Sequence, residues 1–203
     1  MVVAGEVKSV GPSVGPTGAW GGATAWEHHS WSPQLAAFIG DFLRGQEDVH
    51  VYDFGCGLGH YLAALEPRGF KQLLGIEKDP PENSVLDWGK YVWQDITKPF
   101  SFTYRGNALF LEVAEHVPAF FENTMLENVT DAVRLSGSLI MSWAVRGQGG
   151  DGHVNELDTY EVLQRMCSRG FELDADATRR ARACITQACW WFKQSLFVFK
   201  RVT

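Results

Sequence analysis

The chain has 203 residues, 45% of them hydrophobic and 21% charged, enough to bury one α/β core and unlike a disordered composition. No window approaches the roughly 18 consecutive apolar residues of a membrane helix, so no membrane partner is expected. The net charge is −6, and the basic residues are scattered apart from TRRARA (178–183). That pattern argues against a long nucleic-acid partner, which needs a concentrated basic surface.

In chain order, MVVAGEVKSVGPSVGPTG lacks a basic stretch followed by an apolar one and does not read as a signal peptide. Its Gly, Pro, Ser and Val content predicts a mobile leader over residues 1–18. No repeat or low-complexity linker follows, so residues 19–203 are expected to form a single domain, with an N-terminal segment and first helix over 19–47 and the core of the fold over 48–203. Ser32 before Pro33 reads as an N-cap with a first-turn proline, opening the helical pattern PQLAAFIGDFLR.

The runs DVHVYDFG, QLLGIEKD, KYVWQDI, NALFLEV, GSLIMSWAV and SLFVFKRV then predict strands. Between them HYLAALEP, PAFFENTMLENVTDAVRL and ELDTYEVLQRMCSRG carry helical spacing, with Pro118 in a first turn and Gly170 as a C-cap. Alternating strands and helices predict an α/β fold with a mostly parallel sheet and helices on both faces. A further strand near 171–177 is joined to the last by a connection short for a crossover, which predicts an antiparallel final strand. Ligands of such sheets lie beyond the carboxyl ends of the strands.

The strongest local signal is VYDFGCGLGHYLAAL, where a strand meets Asp53, then Gly55, Gly57 and Gly59, and a helix starts at once. Such a turn lets a ligand approach the backbone. Its G-x-G-x-G spacing departs from the dinucleotide pattern and disfavours a nucleotide-dependent oxidoreductase. An acid at the strand end repels a pyrophosphate and suits a cationic group instead. Glu77 ends the next strand, where a carboxylate can accept from both ribose hydroxyls, and Asp95 ends the third. DPPEN (79–83) reads as a turn.

On VYDFGCGLG, GIEKD, WQDI and FLEVAEHVP the chain resembles class I S-adenosylmethionine-dependent methyltransferases over residues 48–200. The resemblance implies a Rossmann-like, seven-stranded sheet with an antiparallel last strand. It implies S-adenosylmethionine as cofactor and S-adenosylhomocysteine as its product. Asp53, Gly55, Cys56, Gly57 and Gly59 would line the methionine part, Glu77 the ribose, and Asp95 with Ile96 the adenine, with Leu111 and Glu112 approaching from the fourth strand. The expected activity is methyl transfer to oxygen or nitrogen of a small molecule. An RNA or protein acceptor, or a silent cofactor-binding module, are the competing readings.

Methyl transfer is an in-line displacement that depends on placing the nucleophile and, where it arrives protonated, on a base. The candidates are Glu112, Glu115 and His116 after the fourth strand and His153 in the glycine-rich loop, His116 having an ordinary pKa of about 6.5. The Trp-rich segment 20–32, with Trp20, His28, His29 and Trp31, is expected to cover the cofactor mouth as a lid and to surround the acceptor. Trp143, Gln148, His153 and Asn155 in SWAVRGQGGDGHVNELD are expected on the acceptor side, Asn155 doubling as an N-cap. Trp190 and Trp191 are expected to pack in the core. The cysteines Cys56, Cys167, Cys184 and Cys189 show no zinc-type spacing; they read as reduced thiols of a cytoplasmic protein, with no metal expected.

Overall fold

Seven short strands form one mixed sheet in the computed structural model, which describes residues 13–21 and 30–203. A hairpin of β1 (Ser13–Val14) and β2 (Trp20–Gly21) stands apart from it. The sheet comprises β3 (Val51–Phe54), β4 (Leu73–Glu77), β5 (Tyr91–Trp93), β6 (Asn107–Phe110), β7 (Ser138–Ser142), β8 (Phe171–Leu173) and β9 (Leu196–Arg201). Their spatial order is β5-β4-β3-β6-β7-β9-β8. The first five pair in parallel, whereas β9 runs antiparallel to both β7 and β8. The predicted parallel sheet with an antiparallel last strand is therefore present.

The central strands β3, β6 and β7 are buried along their whole length, as strands covered on both faces must be. Their side chains alternate between two cores. Val51, Leu109, Ile140 and Val198 pack on one face with helices α1 (Pro33–Phe42), α2 (His60–Leu65), α5 (Ala175–Ala183) and α6 (Phe192–Ser195). Tyr52, Phe110, Met141 and Phe199 pack on the other with α3 (Glu122–Ala132) and α4 (Thr159–Cys167). Burying each such side chain stabilises the fold by about 1.5–3 kcal/mol. Because β3 has β4 on one side and β6 on the other, the chain reverses its winding there and opens a crevice at the carboxyl ends of these strands.

Several boundaries differ from those predicted. The strand expected over 171–177 stops at Leu173, because Asp174 accepts a hydrogen bond from the Ala177 N–H (2.8 Å) and caps α5. Helix α3 starts at Glu122, after a 3-10 turn at Ala119–Phe121 that Pro118 precedes. Asn155 is not an N-cap: α4 is capped by Asp158, whose N–H donates to Glu161 at 2.9 Å. Residues 13–18, assigned to the leader, form an arm and turn of the hairpin. The predicted cap of α1 is present, Ser32 Oγ accepting from the Leu35 N–H at 3.2 Å.

Candidate functional site

A cavity of about 310 Å³ opens at the crevice between β3, β4 and β6, within the range of small-molecule sites. Its first wall is the glycine turn after β3. Gly55 and Gly57 have φ of 67° and 52°, which L side chains rarely adopt. A Cβ on Gly55 would also lie 2.5 Å from Val113 Cγ2. Gly59 caps α2 against Leu86 and is not on the cavity wall.

Glu77, at the end of β4, closes this turn. Its Oε2 accepts from the Gly57 N–H (3.0 Å) and its Oε1 from the Lys78 N–H (2.9 Å). Asp53 is 3% exposed and lines the cavity, yet its Oδ2 has no hydrogen-bond partner among the described residues. Burial, and then the charge of Glu77, push the Asp53 carboxyl well above the usual carboxylate range. Asp95 and Ile96 form the far end of the wall. Burial pulls Asp95 upward, but the Thr97 hydroxyl (2.6 Å), the Thr97 N–H (2.9 Å) and Lys78 hold its carboxyl below the ordinary value.

The opposite wall comes from the segment after β6. Leu111 and Glu112 line it; Glu112 has φ of 58°, and Ser142 both accepts from its N–H and donates to its Oε1, each at 2.7 Å. Burial pushes the Glu112 carboxyl up to about 7 against the pull of Ser142 and the nearby Trp191 indole. A 3-10 turn at Ala114–His116 then buries Glu115 and His116. Glu115 is raised well above the carboxylate range by burial and then by Glu112. The His116 ring is pushed down to about 4 by burial and then by His153, with Gly152 opposing. His116 is therefore neutral at physiological pH and a weaker base than its ordinary pKa predicts.

The glycine-rich loop meets this turn through the backbone: the Val154 and Asn155 N–H groups donate to the Glu115 carbonyl at 2.9 and 3.0 Å. His153 lies on the cavity wall with its ring 5.0 Å from that of His116. Its Nδ1 donates to Glu156 Oε1 (2.9 Å), and Glu156 also accepts from the Gly147 and Gly149 N–H groups. Trp20 from the hairpin lines the cavity and packs edge-on against His116, centroids 5.3 Å apart.

Of the residues expected at the site, Asp53, Gly55, Cys56, Gly57, Glu77, Asp95, Ile96, Leu111, Glu112, His116, His153 and Trp20 share this cavity. Others do not. Trp143 is completely buried, its indole N–H donating to the Asn155 carbonyl at 2.6 Å. Gln148 is turned back on its own loop, accepting from the Val145 N–H, and Asn155 Nδ2 donates to Glu122. Trp31 stacks on His60 at 4.7 Å, and Glu115 lies behind the wall. His28 and His29 fall outside the described residues. Sequence reasoning missed Asp151, Lys78 and Trp191, all on the wall, and Glu156, the knot of the loop. Trp191 packs against the core as expected and also lines the cavity, whereas Trp190, likewise expected in the core, is exposed.

The sheet order, with a carboxylate-flanked cavity at the switch point, is that of a Rossmann-like α/β fold, the fold of the solved S-adenosylmethionine-dependent methyltransferases to which the chain is similar. Solved structures agree. The chain is similar to the 1,6-didemethyltoxoflavin N1-methyltransferase of Burkholderia thailandensis, solved with its substrate and S-adenosylhomocysteine (TM-score 0.63, 15% identity, 88% of this chain and 81% of that one). It is also similar to the sugar N-methyltransferase KedS8 of Streptoalloteichus (0.61, 16%, 84% and 88%). A third is the magnesium protoporphyrin IX methyltransferase of Synechocystis with bound S-adenosylhomocysteine (0.59, 16%, 83% and 82%). No family model and no curated protein sequence matches the chain. Among the described residues no helix is long and apolar enough to cross a membrane.

Proposed function

We propose that the chain transfers a methyl group from S-adenosylmethionine to an oxygen or nitrogen atom of a small-molecule acceptor. The observation that carries this reading is Asp53, a buried residue on the cavity wall whose Oδ2 has no hydrogen-bond partner among the described residues. An orphaned buried carboxylate is costly, and the ammonium of the donor's methionine part would satisfy it. Glu77, whose oxygens each accept one backbone N–H, keeps lone pairs for the ribose hydroxyls, and Asp95 with Ile96 borders the adenine end. When bound, S-adenosylmethionine supplies an electrophilic methyl group on sulfur.

The chain's own residues orient the acceptor and manage its proton. Glu112, with its carboxyl near 7, is the cavity-facing group suited to taking a proton around neutrality; neutral His116 can accept a hydrogen bond. Trp20 and the hairpin turn narrow the cavity and keep water from the transfer. The cavity's size and the small acceptors named for two of the similar proteins support a small molecule over a polymer. Four free cysteines fit a cytoplasmic setting.

Calorimetry with S-adenosylhomocysteine tests the donor assignment. Asp53→Asn is expected to weaken binding at least about tenfold, the loss of one charge-assisted bond of roughly 1.5–3 kcal/mol. Unchanged affinity in this variant, or no binding by the unmodified protein, defeats the reading. Isotopically labelled S-adenosylmethionine with a metabolite extract then identifies the acceptor by mass spectrometry.

A further inference from the structure

Glu115, His116 and His153 form a cluster whose arrangement the transfer chemistry leaves unexplained. One donor atom from each lies within 4.8 Å of the others. Glu115 is 0% exposed, and neither of its carboxylate oxygens has a hydrogen-bond partner among the described residues. A carboxyl group buried in this way requires a proton, a cation or a metal. Among the described residues Lys78 is the lysine or arginine on the cavity wall, and it is engaged with Asp95 and Thr17.

The two imidazoles are held as metal-binding rings are held. Nδ1–H of His116 donates to the Gly152 carbonyl (3.2 Å), and Nδ1–H of His153 donates to the Glu156 carboxylate (2.9 Å). Those bonds fix the tautomer, so Nε2 of each ring keeps the lone pair that a metal takes. Both histidines also line the cavity, with Glu115 behind them.

We propose that Glu115, His116 and His153 bind one divalent transition-metal ion whose open coordination positions face the cavity and take an oxygen donor of the acceptor. Two imidazoles and one carboxylate suit manganese, iron, cobalt or zinc, whereas magnesium and calcium prefer all-oxygen sets. Three protein ligands leave room for an outside ligand. The role toward the acceptor rests on the methyl-transfer reading; the metal binding does not. Metal-site spacing is invisible in the sequence because positions 115 and 153 meet only through the contact between the two loops.

The test titrates the full-length protein, freed of metal by a chelator, with cobalt(II), zinc(II) and magnesium(II), following cobalt by its visible absorption and all three by calorimetry. The expected result is one cobalt or zinc ion per chain, with magnesium at least tenfold weaker. His153→Ala and Glu115→Gln should each weaken cobalt binding by about tenfold or more. His153→Ala truncates a side chain of the glycine-rich loop and leaves the buried Glu115 in place, so the test survives if Glu115→Gln fails to fold. No cobalt or zinc binding up to 1 mM, or unchanged cobalt affinity in His153→Ala, overturns the proposal. Cobalt binding without S-adenosylhomocysteine binding upholds the metal site and defeats the donor reading instead.

Discussion

The two walls of the cavity are built in different ways. The wall after β3 and β4 is local: the turn and its carboxylate partner come from adjacent parallel strands, and Glu77 is tied to the backbone N–H groups of Gly57 and Lys78. The wall after β6 and β7 is assembled from two loops that meet only in the folded chain, through the Glu115 carbonyl, while the Glu156 carboxylate ties the second loop to itself. Each nevertheless leaves buried carboxylate oxygen without a hydrogen-bond partner among the described residues, Asp53 Oδ2 on the first wall and both Glu115 oxygens behind the second. A stable fold satisfies buried polar groups, so an unpartnered one beside a cavity marks where ligands contribute.

If the first wall is rigid and the second adaptable, substitutions should separate them. The largest effect is expected for Gly55→Ala. The new Cβ would meet Val113 at 2.5 Å at a φ of 67°, costing about 2 kcal/mol of stability. S-adenosylhomocysteine affinity should fall at least about tenfold, since Gly55 and Val113 both line the cavity and one of them must move; chemical denaturation and calorimetry read the two effects. Normal affinity at normal stability would show that this wall is not rigid.

Glu156→Gln addresses the second wall. It removes a charged acceptor from the Gly147 and Gly149 N–H groups and from His153, and should cost about 1–2 kcal/mol. S-adenosylhomocysteine binding should stay within about twofold, because Glu156 does not touch the first wall. A loss of donor affinity equal to that of Gly55→Ala would erase the distinction between the walls.

The smallest effect is on pH dependence. Asp53 and Glu77 have folded-state pKa values raised by burial, so the folded chain keeps protons that the unfolded chain has released. Their contribution is full below the unfolded carboxylate pKa of about 4 and is lost as pH rises through the folded values. Asp53 faces Glu77, the Cys56 thiol and the Tyr91 hydroxyl. The melting temperature of ligand-free protein should therefore fall less steeply with rising pH in Asp53→Asn than in the unmodified chain. S-adenosylhomocysteine should flatten the slope in the unmodified chain, and identical slopes would remove Asp53 from the account.

By itself the sequence determined the alternation of strands and helices, the antiparallel end of the sheet, the glycine turn and the acids at successive strand ends. Those features are written in contiguous residues: apolar periodicity selects strand or helix, and glycine selects the turn. It misplaced what depends on partners far along the chain. Asn155 gave up its expected cap to Asp158 and Glu161, Trp143 turned into the core while Trp190 stayed exposed, and His116 lost its basicity to burial. Only the tertiary structure set Glu115 beside His153, because the pairing of β6 with β7 brings their following loops together. Which polar atoms find partners, and which are left for a ligand, is settled by that packing.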